Sequence, residues 1–202
     1  MIGRVDDGIA ALLAGELVVY PTETFYAIGA DAFSSDALRR LFQVKHREPD
    51  RPVGLIAADA TMAFSIARVV PIDARRLADA FWPGPLTLVL PARDDVAPEL
   101  AGPDGVGVRV SPHPVARALS TGIGRPITAT SANLSGRAPA STLEQARDAL
   151  REKVKVFLEG GNLMASAPST VIAVSGSGWK MMRVGAISQS QIAMALAGDA
   201  LK

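Results

Sequence analysis

Three short stretches of this chain carry side chains suited to holding a polyanion. Pro21-Thr22-Glu23-Thr24-Phe25-Tyr26 places two hydroxyls beside two aromatic rings, Lys45-His46-Arg47 supplies two cations, and Ser131-Ala132-Asn133 supplies a hydroxyl and an amide. Lysine and arginine offset phosphate charge, and an arginine fork takes two oxygens at once. Serine and asparagine add hydrogen bonds without adding charge. Such a mixture suits a nucleoside triphosphate.

Each stretch also has a plain structural reading. Lys45 and Arg47, with Arg39, Arg40 and Arg51 nearby, can form a solvated helix end whose cations complement the helix dipole. Ser131 and Asn133 can form an ordinary turn, although small polar residues after a strand are also a common ligand location in α/β proteins. The Thr22 and Thr24 stretch can be a polar strand end with two core aromatics. Arg109 stands in an otherwise apolar run over 106–110. An unpaired buried charge is costly there, so its partner is either an internal carboxylate or an anionic ligand.

The elements that must position these residues follow from hydrophobic periodicity. Ile9, Leu12 and Leu13, after Asp6 and Asp7 and before Gly15, predict a helix. Leu17-Val18-Val19-Tyr20 predicts a strand stopped by Pro21. Residues 36–44 predict a helix with Leu38, Leu41 and Phe42 on one face, ending at Lys45. A strand at 53–57, helices at 60–68 and 72–81, and strands at 86–90 and 105–110 follow. A short helix over 114–120 has proline in its first turn, and a strand over 126–130 leads into Ser131. Ser141 and Glu144 form a capping-box pattern that opens a helix over 143–151. Strands at 154–158, 170–174 and 179–184 precede a last helix, capped by Ser188 and closed by Gly198. Strands and helices mix without strict βαβ alternation. The expected fold is therefore α/β of the mixed α+β kind: one open, twisted mixed sheet with helices on both faces, in a single domain over 1–202.

Bulk properties narrow the class. With 202 residues, 49% hydrophobic and 20% charged, the chain reads as a soluble globular protein able to bury a core. A net charge of +1 means that any nucleic-acid affinity must come from local clustering. The chain has no cysteine, which excludes disulfides and thiolate metal sites. His46 and His113 are its two histidines, so no histidine-built metal site is expected. Neither a secretory leader pattern nor an apolar run approaching a membrane span is visible, and the expectation is a cytoplasmic protein without membrane contact. No G-x-x-x-x-G-K-[ST] loop is present. Gly176-Ser177-Gly178 lacks the third glycine of a dinucleotide fingerprint. Ser177-Gly178-Trp179-Lys180 and Ser131-Ala132-Asn133 stand in the reverse order for a serine β-lactamase.

Lys45-His46-Arg47 followed much later by Ser131-Ala132-Asn133 resembles the Lys-x-Arg and Ser-x-Asn hallmark of the YrdC-type threonylcarbamoyl-AMP synthases. Phe81-Trp82-Pro83-Gly84-Pro85-Leu86-Thr87, Val108-Arg109-Val110, Pro168-Ser169-Thr170-Val171 and Arg183-Val184-Gly185-Ala186-Ile187 match as well, so the resemblance runs from about residue 15 to about residue 187. It implies an open α/β sheet curving around a deep, positively charged cleft. It implies Lys45 and Arg47 as catalytic cations on the ATP phosphates, with Arg51 beside them. Ser131 would bind phosphate, Asn133 would hold the loop or bind nucleotide, and Arg183 would reach the nucleotide. Thr22, Thr24, Ser169 and Thr170 would line the amino-acid pocket, where Arg109 would receive the carboxylate of threonine. The implied reaction joins ATP, L-threonine and bicarbonate or CO2, with Mg2+ accompanying ATP. Its product would pass to a separate threonylcarbamoyl transferase complex that modifies tRNA.

Two other readings use the same residues. One is a binding module for tRNA or double-stranded RNA without catalysis, which the near-zero net charge disfavours. The other is a related acyl-adenylate enzyme with a different substrate. Departures from the family's pattern keep that reading in view: Ala27 stands where relatives usually carry glycine, and Glu48 where they usually carry proline. Pro139-Ala140-Ser141-Thr142 replaces the usual Ser-Pro-Thr, and Ile56 stands near a position where some relatives have histidine.

Overall fold

A computed structural model describes residues 2–46, 52–134, 138–150, 152–163 and 167–198. The chain opens with β1 (Ile2–Gly3), α1 (Val5–Leu13), β2 (Val18–Tyr20), β3 (Ala27–Gly29), α2 (Ser35–Lys45) and β4 (Leu55–Ala57). It continues through α3 (Ala60–Phe64), α4 (Ile72–Phe81), β5 (Leu86–Leu90), a 3-10 turn at Pro98–Leu100, β6 (Ala101–Gly102), β7 (Gly105–Val110) and α5 (Pro114–Ile123). It closes with β8 (Ile127–Thr128), β9 (Thr130–Ser131), α6 (Leu143–Leu150), β10 (Val156–Leu158), β11 (Thr170–Ser175), β12 (Gly178–Arg183) and α7 (Gln189–Ala197). The mixed α/β class expected from periodicity is present. No described helix is long and apolar enough to cross a membrane.

The strands form two mixed sheets where one was expected. One has the order β1-β10-β2-β3-β9; the other runs β12-β11-β5-β7-β4-β8, with β6 paired to β7. The stretch expected as a single strand over 126–130 explains the difference. It divides at Ala129, so that Ile127 and Thr128 pair with β4 while Thr130 and Ser131 pair with β3. The junction is sewn to both sides: Thr128 N donates to Ala30 O at 2.9 Å and Ala129 N to Gly54 O at 2.8 Å.

Helices cover both faces of the five-stranded sheet because side chains alternate along a strand. Val19 enters a large cluster with Leu41 of α2, Leu77 of α4, Leu150 of α6 and Ile192 of α7. Val18 and Tyr20 point the other way, toward Leu12 of α1 and Leu119 of α5. Ile56 joins that second cluster while Leu55 and Ala57 join the first. The α1–α5 packing needs backbone close to side chain: a Cβ at Gly122 would lie 2.3 Å from Ile9 Cδ1.

Local chemistry sets the ends. Ser34 caps α2 by accepting from Ala37 N, and His46 stops it in a left-handed conformation with φ 47°. Asp59 caps α3, but that helix ends at Phe64 and does not reach 68. The chain peels off there because Arg68 N donates to Pro91 O at 2.9 Å, in place of a helical carbonyl. The capping box of α6 sits one residue later than expected. Thr142 Oγ1 accepts from Gln145 N at 3.2 Å, and Gln145 Oε1 accepts from Thr142 N at 3.3 Å. Thr142 immediately precedes Leu143, the first helical residue, and a capping box spans the cap and the third residue inside. Ser188 and Gln191 build the corresponding box for α7, as the sequence suggests.

Candidate active site

A cleft of about 510 Å³ opens on the face of the seven-stranded sheet, a volume suited to small-molecule ligands. Its wall includes Thr22, Thr24, Arg109, Ser131, Ser169 and Arg183, drawn from six separate sequence positions. Gly54 and Gly107 help form the floor, with Thr87, Val89 and Val171.

The turn after β2 is built around Thr22. Its Oγ1 accepts from Thr24 N and Phe25 N, each at 3.2 Å, and donates to Phe25 O at 2.7 Å. The Thr24 hydroxyl lies 3.0 Å from it. Both hydroxyls are thus spent partly on shaping the turn. The turn carries Glu23 to β7, where Arg109 Nη1 and Ser111 Oγ each donate to one of its carboxylate oxygens. The side chains of Arg109 and Glu23 are only 9% and 13% exposed. Arg109 therefore has the internal carboxylate partner that its setting in an apolar strand allows. Glu23 and Ser111 were not among the residues the sequence singled out for chemistry. Glu23 stood inside the Thr22–Thr24 stretch, and a carboxylate between two small hydroxyl residues, with a lone arginine on an apolar strand elsewhere, was the available signal.

At the C-terminus of α2, Lys45 is 2% exposed. Its Nζ donates to Ser131 O at 2.7 Å, Asn133 O at 2.6 Å and Asn133 Oδ1 at 2.8 Å. Ser131 Oγ donates to the same Asn133 Oδ1 at 2.6 Å. The Lys-x-Arg and Ser-x-Asn stretches therefore meet directly, with the ammonium bracing the loop. The left-handed His46 reverses the chain just after Lys45; its Nε2 lies 3.3 Å from Lys153 Nζ at the surface. Arg47 and Arg51 lie outside the described residues, as does Glu48.

On the opposite wall, Arg183 Nη2 donates to Ser169 O and Ser169 Oγ, each at 2.9 Å, and Nε donates to Ser169 O at 3.1 Å. Ser169 Oγ also contacts Thr87 Oγ1 at 3.0 Å. Burial, followed by the positive charge of Arg109, lowers the proton affinity of Arg183 below the usual arginine range. An arginine remains charged under such a shift, so an anion placed between the two guanidinium groups would relieve their repulsion. Thr170 is committed elsewhere: it donates to Ile187 O at 2.6 Å and accepts from Ile187 N at 2.9 Å. Gly185 lies against this wall, where a Cβ would come within 2.3 Å of Pro168 O.

Tyr20 lies beneath, fully buried, with its hydroxyl donating to Thr128 O at 2.8 Å; burial pushes its proton affinity far up. Tyr26 ties the cleft to the segment after β10, donating to Gly161 O at 2.8 Å and accepting from Gly160 N at 3.0 Å. Ala27 pairs with Ser131, and its methyl joins the core cluster with Tyr20 and Ile56. Among the described residues, no group of three or more His, Cys, Asp or Glu side chains could hold a metal ion.

The Sua5/YciO/YrdC family model, described as "Telomere recombination", matches residues 10–185. The chain belongs to this family. A Mycobacterium tuberculosis relative is 39% identical over 193 residues, covering 95% of this chain and 88% of its own length. The threonylcarbamoyl-AMP synthase of Bacillus subtilis is 34% identical over 191 residues, 94% of this chain. Among solved structures, that of Pyrococcus abyssi Sua5 complexed with L-threonine superimposes with a TM-score of 0.90 at 33% identity, over 96% of this chain. This chain spans about half of the two longer proteins, 55% of the Bacillus protein and 57% of the Pyrococcus chain.

Proposed function

We propose that this protein is a nucleotidyltransferase that makes L-threonylcarbamoyl-AMP and pyrophosphate from ATP, L-threonine and bicarbonate or CO2. The observation that carries the reading is the convergence in one cleft of Thr22, Thr24, Arg109, Ser131, Ser169 and Arg183, residues that the family resemblance ties to ATP and threonine. The amine of threonine captures CO2 as a carbamate. A carbamate oxygen then attacks the α-phosphorus of ATP, and the bond to the β,γ-pyrophosphate breaks as the new P–O bond forms. The protein's share of this is positioning and electrostatic stabilisation. Lys45 braces the Ser131–Asn133 loop, and that loop, with Arg47 and Arg51, receives phosphate. Thr22, Thr24 and Ser169 surround threonine, and Arg109 and Arg183 face its carboxylate and the nucleotide.

Mg2+ arrives with the triphosphate in this scheme. Mg2+ is commonly held by substrate phosphates with only one or two protein carboxylates. The whole chain acts as one domain, in the cytoplasm, and hands its product to a threonylcarbamoyl transferase complex for tRNA modification. The name shared by the curated relatives favours synthesis over RNA binding without catalysis.

Incubation with ATP, L-threonine and labelled bicarbonate tests the proposal. Labelled threonylcarbamoyl-AMP should form together with pyrophosphate. Pyrophosphate release that depends on another amino acid, with none for threonine, would replace it by the related acyl-adenylate reading. Tight RNA binding with no adenylate formed would replace it by the RNA-binding one.

A further inference from the structure

Glu23 occupies a setting to which none of the roles assigned to ATP and threonine extends. Its carboxylate is nearly enclosed, and each oxygen takes a hydrogen bond from a different side chain, Arg109 and Ser111. Ser111 is fixed in turn, accepting from His113 N at 3.2 Å at the start of α5. The backbone carrying Glu23 is held by the Thr22 hydroxyl, so neither end of this arrangement is loose. Among the described residues, Arg183, the second guanidinium of the wall, is bonded to the uncharged oxygens of Ser169.

We infer that Glu23 is a positioning and specificity-determining residue of the amino-acid subsite, an inference that rests on the synthase reading. Glu23 does two things there. It takes one edge of the Arg109 guanidinium, so the planar group is locked and its remaining N–H edges are aimed by geometry set before substrate binds. It also cancels the charge of Arg109. The two arginines and Glu23 together then carry one net positive charge, which matches a single carboxylate. Without the Glu23 charge the same wall would carry two, and would suit a doubly charged anion such as inorganic phosphate. Rejection of the wrong anion by an internal carboxylate is specificity obtained through repulsion.

The two roles separate experimentally. Glu23→Gln keeps the shape and an acceptor but removes the charge; Ser111→Ala keeps the charge but loosens the seat. With Glu23→Gln, KM for threonine should rise about tenfold, the loss typical of a misdirected charge-assisted hydrogen bond, while KM for ATP stays within about twofold. In the absence of threonine and ATP, inorganic phosphate followed by 31P NMR titration should bind Glu23→Gln several-fold more tightly than wild type. Ser111→Ala should raise KM for threonine without any gain in phosphate affinity, and Glu23→Asp should restore the wild-type phosphate behaviour. Equal KM rises for threonine and ATP, tracking a fall in melting temperature, would reduce Glu23 to a structural ion-pair member and overturn the inference. Phosphate binding unchanged in Glu23→Gln would overturn it as well. Wild-type protein that makes no threonylcarbamoyl-AMP would defeat the synthase reading instead, and the phosphate titration would still test Glu23.

Discussion

Arg109 and Arg183 face the same cleft and are answered in opposite ways. Arg109 sits on a central strand and is met by a carboxylate and a serine hydroxyl behind it. Arg183 ends an edge strand and donates to the carbonyl and hydroxyl of Ser169. The first arrangement neutralises charge and fixes geometry; the second fixes geometry and leaves the charge in place. Both guanidinium groups are thus held before any ligand arrives, one against a charged partner and the other against neutral oxygens. The two should respond differently to removal.

The largest effect is expected for Arg109→Ala. It strands a nearly enclosed Glu23 carboxylate, and breaking a buried pair from one side costs about 3–5 kcal/mol. Chemical denaturation should show that loss, and Arg109→Ala combined with Glu23→Ala should recover much of it. Full stability in the single variant would mean the pair contributes little. Lys45→Ala comes next. Surface placement at the helix end would make it harmless to folding, but three bonds from an enclosed ammonium to Ser131 and Asn133 argue otherwise. A loss of about 2–3 kcal/mol is expected, with ATP binding weakened through the released loop. Thermal melting beside nucleotide titration would detect both.

Arg183→Met reverses the pattern of Arg109. Stability should change by less than about 1 kcal/mol, while affinity for the anionic substrate falls roughly tenfold to a hundredfold. Denaturation of this variant beside Arg109→Ala sharpens the contrast directly; equal stability losses for the two arginines would erase it. A smaller effect belongs to His113, which neighbours Glu23. Burial lowers its proton affinity from the usual 6.5, outweighing the opposing pull of Glu23. As pH falls below about 6.5 the unfolded chain takes up that proton before the folded one does, so stability should decline toward acid and level off above neutrality. His113→Asn keeps a side chain able to cap α5 and should flatten that slope in pH-dependent melting. Smallest is His46→Gly, expected to stabilise by about 0.5–1 kcal/mol, because a left-handed φ of 47° suits glycine better than a side chain.

Much of the framework is legible in the amino-acid sequence. Long periodic segments such as Ile72–Phe81 and Leu86–Leu90 form where their apolar spacing places them. The failures share a cause: each depends on a partner distant in the chain. β1 and β3 have two and three residues, too few for a period to show, and exist because β10 and β9 lie alongside. Residues 65–68 leave the helix because Pro91 offers a carbonyl. The division at Ala129 is invisible locally because two residues on either side are too few to show a period, and each half is set by a different partner, β4 for one and β3 for the other. At the site, Arg109 in its apolar strand announced a missing partner, but nothing in the spacing of 23 and 109 names Glu23 as that partner. Lys45 was legible as a member of a motif and not as an enclosed brace, because enclosure is a property of what folds over it.

The division at Ala129 has a bearing on how the molecule opens. Amides of Thr128, Ala129 and Ala132 donate in turn to Ala30, Gly54 and Tyr26, stitching alternately toward the strands of each sheet. Neither sheet can breathe alone without pulling this thread. Hydrogen–deuterium exchange at these amides should therefore report the slowest, whole-molecule unfolding event, whereas the β11–β12 hairpin at the sheet edge should exchange through smaller local openings. Ser131 lies on that thread. The proposed phosphate-binding loop thus begins at the part of the chain expected to be last to loosen, and its geometry should persist until the fold itself gives way.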